Sequence, residues 1–136
     1  MKDKVVEIKG DSRMFFRSYI KLLSSFKPLN GVRHQELMVL AELMYSNYVI
    51  SQGFKNREDP NKWKLIFSYE NKREIEETLQ ISDATMANCL TNLRKVNFIQ
   101  DNTLRKMFRV YPDDKFELIF KFTNTNNAGG STEDNK

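Results

Sequence analysis

The stretch from Asn71 to Tyr111, NKREIEETLQISDATMANCLTNLRKVNFIQDNTLRKMFRVY, constrains the chain most, because it reads without interruption as helix, tight turn, helix and basic β-hairpin. In the first of these helices Asn71 is placed to cap and Glu74 to reach back to it three residues later. Ile75 and Leu79 supply a short apolar face at i, i+4 spacing. That helix is expected to stop near Gln80. Ser82 then offers its hydroxyl to the open N–H groups of a second helix, and Asp83 sets negative charge at the positive end of its dipole.

The second helix, residues 82–95, has two unlike sides. Met86, Leu90 and Leu93 recur at +4 and +3 with Cys89 beside them, so this side packs inward. At about 100° per residue the opposite side carries Ala84, Asn88, Thr91 and Lys95, flanked by Thr85 and Asn92. Asn pairs bidentately with adenine, Thr bonds either base type or touches the thymine methyl, and Lys meets guanine or a phosphate. A helix with this face suits a DNA major groove. Val96, Phe98 and Ile99 then close the core, and Gln100–Thr103 form a polar turn in which Asp101 and Asn102 tolerate left-handed backbone. Leu104–Val110 predict the return strand of the hairpin 98–110. Arg94, Lys95, Arg105, Lys106 and Arg109 make this region basic, and Lys72 and Arg73 add cations at the start of the preceding helix.

The run SDATMANCLTNLRKVNFI resembles the recognition-helix pattern of the winged helix-turn-helix DNA-binding superfamily. Ser-x-x-Thr-apolar opens the helix, Leu-x-x-Leu buries it, and a short basic end leads to an apolar pair. VRHQELMVLAEL, Val32–Leu43, is similar to the first helix of the same family. The resemblance covers about half the chain, and the chain also loosely resembles small winged-helix proteins of Bacteroidetes phages. Gln80 and Asn97 stand where the family often has glycine, and Asn adopts left-handed backbone more readily than Gln. The resemblance implies a winged helix whose wing is basic and pairs with a third strand, here WKLIF, Trp63–Phe67. The fold class expected is α+β, mainly helical, with an added N-terminal helix and terminal β-strands.

Along the rest of the chain, KVVEIK predicts a short strand at Val5–Ile8, ended by Gly10. Asp11 or Ser12 then caps a helix to about Phe26, striped with Phe15, Tyr19, Leu22 and Phe26 and broadened by Phe16, Ile20 and Leu23. So broad a stripe suits core packing or a dimer contact. Pro28 and Gly31 break it, and a central helix follows from about Arg33 to Ile50, burying Leu37, Leu40, Ala41 and Met44. Gln52–Lys62 reads as a polar surface loop, and Trp63 as a packing anchor. Phe116, Leu118, Phe120 and Phe122 alternate with Glu117, Ile119 and Lys121, which predicts a strand pairing with Val5–Ile8. We therefore expect one domain over residues 1–122. It divides into an extension at 1–31, a winged-helix core at 32–111 and an extra strand at 112–122, followed by a disordered tail at 123–136.

At 136 residues with 40% apolar content the chain has enough material for a core, and it contains no apolar run of membrane-spanning length. The Met1–Lys9 start lacks the apolar segment of a secretion signal, so a cytoplasmic protein with no membrane partner is expected. Cys89 and His34 are the only cysteine and histidine, which leaves no Cys/His metal set and no disulfide within one chain. Cys89 reads as core and His34 as a capping or surface residue. With no phosphate loop and no nucleophile elbow, neither a cofactor nor an enzymatic activity is expected. The formal charge of +4 and pI near 9.2 allow an anionic partner.

The function these readings favour is sequence-specific double-stranded DNA binding by a homodimer or higher oligomer, as a regulator of transcription or replication. Base contacts fall to Thr85, Asn88, Thr91 and Asn92, and phosphate contacts to Lys72, Arg73, Arg94, Lys95, Arg105, Lys106 and Arg109. The alternative is a structural protein, such as a phage head-to-tail component, in which the same fold contacts other phage or host proteins. The absence of arginine from the base-reading positions of the second helix motivates it.

Overall fold

The computed structural model describes residues 9–112, 119 and 121–126. Among them the order is α1 (Ser12–Leu23), α2 (His34–Ser51), α3 (Lys62–Ile66), α4 (Tyr69–Leu79), α5 (Asp83–Lys95), β1 (Ile99–Gln100) and β2 (Thr103–Leu104), followed by a 3-10 turn at Lys106–Phe108. Among the described residues the architecture is α+β and mainly helical, with one small antiparallel sheet.

Helix α2 is the scaffold. It packs against α1, α3, α4 and α5, and its sequence explains why: Val39 and Leu43 are buried as well as Leu37, Leu40, Ala41 and Met44, so apolar residues point to every side. Helix α1 starts at the Asp11 cap, whose carboxylate accepts from Met14 N at 2.8 Å. Phe16 and Ile20 fix it against α2, and Arg17 reaches the nearly buried Glu42 carboxylate at 2.9 Å. It ends at Leu23, short of the expected Phe26, because Ser24 Oγ bonds back to Lys21 O and the chain turns to bury Leu29.

Two expectations for the middle of the chain are corrected. WKLIF is helix α3, not a strand. Alternation would have put Trp63, Leu65 and Phe67 on one side, yet Leu65 is 51% exposed while Trp63 and Ile66, three apart, are buried. Helix α4 begins at Tyr69, two residues before Asn71, because Ser68 is the cap and accepts from Asn71 N at 3.2 Å. The Asn71 amide instead donates to Ile66 O at 2.7 Å and Ser46 Oγ at 3.0 Å, tying α4 to α3 and α2.

Helices α4 and α5 join through Gln80–Ser82. Gln80 is left-handed, at φ 57°, and Ile81 N closes onto Glu76 O. The same closure ends α5, where Asn97 has φ 66° and Phe98 N bonds Leu93 O. Without glycine, both residues carry the cost of a Cβ in that region. The hairpin is tighter than expected. β1 and β2 pair Ile99 with Leu104 and Gln100 with Thr103 around Asp101 and Asn102, both at positive φ, the conformation that two-residue hairpin turns require. The return strand expected over Leu104–Val110 stops at Leu104. After it the chain winds inward so that Phe108 packs tilted against Phe98, ring centroids 4.9 Å apart, a burial that an extended strand would forfeit.

The expected strand Val5–Ile8 and its pairing lie outside the described residues. Of the strand expected at 116–122, Ile119, Lys121 and Phe122 are described and have no regular secondary structure. Residues 127–136 of the expected tail also lie outside them. Among the described residues no helix is long and apolar enough to cross a membrane.

Candidate nucleic-acid interface

Helix α5 is held by its inner side. Met86, Cys89, Leu90 and Leu93 are buried against the core, and the Ser82 hydroxyl accepts from Thr85 N at 3.1 Å to start the helix. The outer side is therefore fixed by packing, and it is exposed at Ala84, Ala87, Asn88, Thr91, Arg94 and Lys95. Thirteen residues give a rod of about 20 Å, and the two alanines keep it slim. The side presents an amide, a hydroxyl and methyl groups, with its cations gathered at the C-terminal end. Asp83 in the first turn and Arg94 and Lys95 in the last both complement the helix dipole.

The hairpin follows within a few residues and is tied to α5, since Arg94 donates to the Asn102 side chain at 3.3 Å. Lys106 is exposed and Arg105 half-exposed. Arg94 and Lys95 thus stand at the C-terminal end of the outer side, and Arg105 and Lys106 follow just past the hairpin.

Three expected contact residues already have partners within the chain. Arg109 turns inward: its Nε donates to Leu104 O at 2.8 Å, its NH1 meets Glu58 at 3.3 Å, and its guanidinium covers the Trp63 ring at 5.0 Å. It anchors the hairpin. The Thr85 hydroxyl accepts from Ser82 Oγ at 3.0 Å and belongs to the cap. Asn92 is half-buried, its amide donating to Glu36 Oε2 at 2.6 Å. Lys72 is half-exposed, while Arg73 is exposed and donates to the Tyr69 hydroxyl at 2.8 Å, which itself favours the charged guanidinium.

Electrostatics differ between the ends of α5. Around its N-terminus an open hollow is lined by Arg73, Glu76, Glu77, Gln80, Ile81, Ser82 and Asp83. A hydrogen bond to Asp83 raises the Glu76 carboxyl above the ordinary carboxylate range, with partial burial and the Asp83 charge adding to it. On its flank, a groove of about 190 Å³ separates α5 from the first turn of α2 and is lined by Arg33, Gln35, Glu36, Thr85, Asn88, Cys89 and Asn92. Burial pushes the Cys89 thiol pKa up, and the Glu36 charge adds to it.

Sequence reading missed a second cluster. Lys62 is fully buried beneath the loop 52–61, its ammonium bonded to Ser51 Oγ at 3.1 Å, to the Tyr111 hydroxyl at 2.8 Å and to the Arg57 carbonyl. Tyr111 also donates to Glu58 at 2.7 Å. Three acceptors thus surround the nitrogen, which ties the loop to the helix and to the chain leaving the hairpin. No local signal marks it, since lysine is ordinarily exposed.

No family model matches the chain, and neither a curated protein nor a solved structure does.

Proposed function

We propose that the chain is a winged helix-turn-helix protein that binds double-stranded DNA sequence-specifically. Helix α5 lies in the major groove and the hairpin on the flanking phosphates. One observation carries the reading: α5 is pinned by Met86, Leu90 and Leu93 so that Asn88 and Thr91 stand exposed beside Ala84 and Ala87, with Arg94 and Lys95 exposed at the C-terminal end of the helix and Lys106 exposed just past the hairpin. Amide, hydroxyl and methyl groups are what base edges in the major groove recognise, and cations supply the sequence-independent attraction. Regulation of transcription or replication follows from such binding.

Gel-shift titration of two variants tests it. Asn88→Ala is expected to lose about 1–3 kcal/mol and to relax preference at one base position, whereas Lys106→Ala weakens all duplexes alike. Unchanged affinity in both rejects this docking.

A second reading, a module for protein contacts in an assembly, is favoured by the apolar surface beside the same elements. Val96 at the end of α5 is 44% exposed and Tyr69 at the start of α4 is 66% exposed. Under it Val96→Asp abolishes assembly while Asn88→Ala is silent.

A further inference from the structure

Glu36 lies in the first turn of α2, distant in sequence from α5, and is about nine-tenths buried. Its Oε1 accepts from Arg33 N at 3.4 Å, closing the start of α2, and its Oε2 accepts from Asn92 Nδ2 at 2.6 Å. Both carboxylate oxygens are engaged as acceptors, so it is the NH2 end of the Asn92 amide that faces Oε2. The amide is thereby locked against the half-turn that would exchange its oxygen and nitrogen. One N–H is engaged by Glu36. Oδ1 and the second N–H remain, on a half-exposed side chain that lines the groove shared with Asn88 and Thr85.

A neighbouring donor and acceptor in fixed order match adenine, which offers N6–H2 and N7 in the major groove. They mismatch guanine, whose O6 and N7 both accept. We propose that Glu36 is a positioning residue for base readout: by holding the Asn92 amide in one orientation, it makes α5 select adenine at the base pair Asn92 meets. This rests on the DNA-binding reading above and adds to it a residue outside α5. It also assigns Asn92 a role apart from Asn88, whose amide is exposed on the outer side.

The test compares wild type, Glu36→Gln, Asn92→Ala and the double variant by selecting bound duplexes from a randomised library. Glutamine keeps the size of the side chain and can present either end of its own amide, so it releases the lock without opening a cavity. Wild type is expected to enrich adenine at the position where Asn92→Ala has no preference. Glu36→Gln loses about tenfold of that enrichment, with the other positions and the salt dependence unchanged, and the double variant matches Asn92→Ala. A purely structural role for Glu36 would lower the melting temperature and leave the base preference in place, which overturns the proposal. In the DNA-free protein, the two Asn92 side-chain amide protons are expected to be well separated by NMR and to converge in Glu36→Gln. Identical spectra overturn it as well. If wild type binds duplexes and Glu36→Gln keeps the adenine preference, this inference fails alone; if wild type binds no duplex at low salt, the DNA-binding reading fails with it.

Discussion

The Lys62 ammonium lies 2.8 Å from the Tyr111 hydroxyl, joining the residue that opens α3 to the chain leaving the hairpin. Asn47 of α2 donates to the same hydroxyl at 3.2 Å, so loop, scaffold helix and hairpin exit meet at one buried point. The orientation of the hairpin beside α5 depends on this junction and on Arg109.

Burial lowers the Lys62 pKa, against a rise from Glu58, and Arg109 and Arg57 lower it further. Between that lowered value and the ordinary 10.5 the unfolded chain holds more protons than the folded one, so stability rises with pH. Tyr111 acts in the opposite sense: burial first, then the bond to Glu58, raises its pKa above 10.0, so its contribution falls only beyond that pH. Urea denaturation of wild type should show stability climbing towards pH 10 and then turning over. Lys62→Met should abolish the climb; an unchanged profile in that variant would show that Lys62 is not its source.

Arg109 and Lys106 are both basic hairpin residues and should behave oppositely. Arg109→Ala removes the bonds to Leu104 O and Glu58 and the cover over Trp63, and is expected to cost about 1–3 kcal/mol of stability. Lys106→Ala, on an exposed side chain, should stay within about 0.5 kcal/mol of wild type in stability and weaken duplex binding. Thermal melts and titrations of both variants check the assignment.

Glu76→Gln removes an α4 carboxylate from the hollow at the N-terminus of α5. Because Asp83 raises the folded pKa of Glu76, the charged form is disfavoured in the fold, and stability lost as pH rises through that raised value should return in the variant at neutral pH. Duplex affinity should rise as well. A less stable or weaker-binding variant would contradict the electrostatic picture.

Gln80 sits at φ 57° with a Cβ that this region disfavours. Gln80→Gly should therefore stabilise the protein by about 0.5–1 kcal/mol, relief of the left-handed cost exceeding the added chain entropy. Chemical denaturation would show a higher midpoint at unchanged slope.

What could be read from sequence was what local signals encode. The two sides of α5 followed from Met86, Leu90 and Leu93, its start from Ser82, and the hairpin turn from Asp101 and Asn102. α3 was misread because a five-residue apolar run fits strand and helix alike, and only the buried pair Trp63 and Ile66 separates them. Asn92 looked like one more amide on the outer side, since its partner Glu36 is 56 residues away in the chain. Arg109 looked like a phosphate contact because nothing near it in sequence announces Trp63 or Glu58.

Fluorescence anisotropy of the full chain with a random-sequence duplex, over about 50–300 mM salt, tests the central claim most directly. Arg94, Lys95, Arg105 and Lys106 predict a slope of log affinity against log salt of about −3 to −4, at roughly −0.9 per phosphate neutralised. No binding at the lowest salt, or an affinity that does not change with salt, would contradict it.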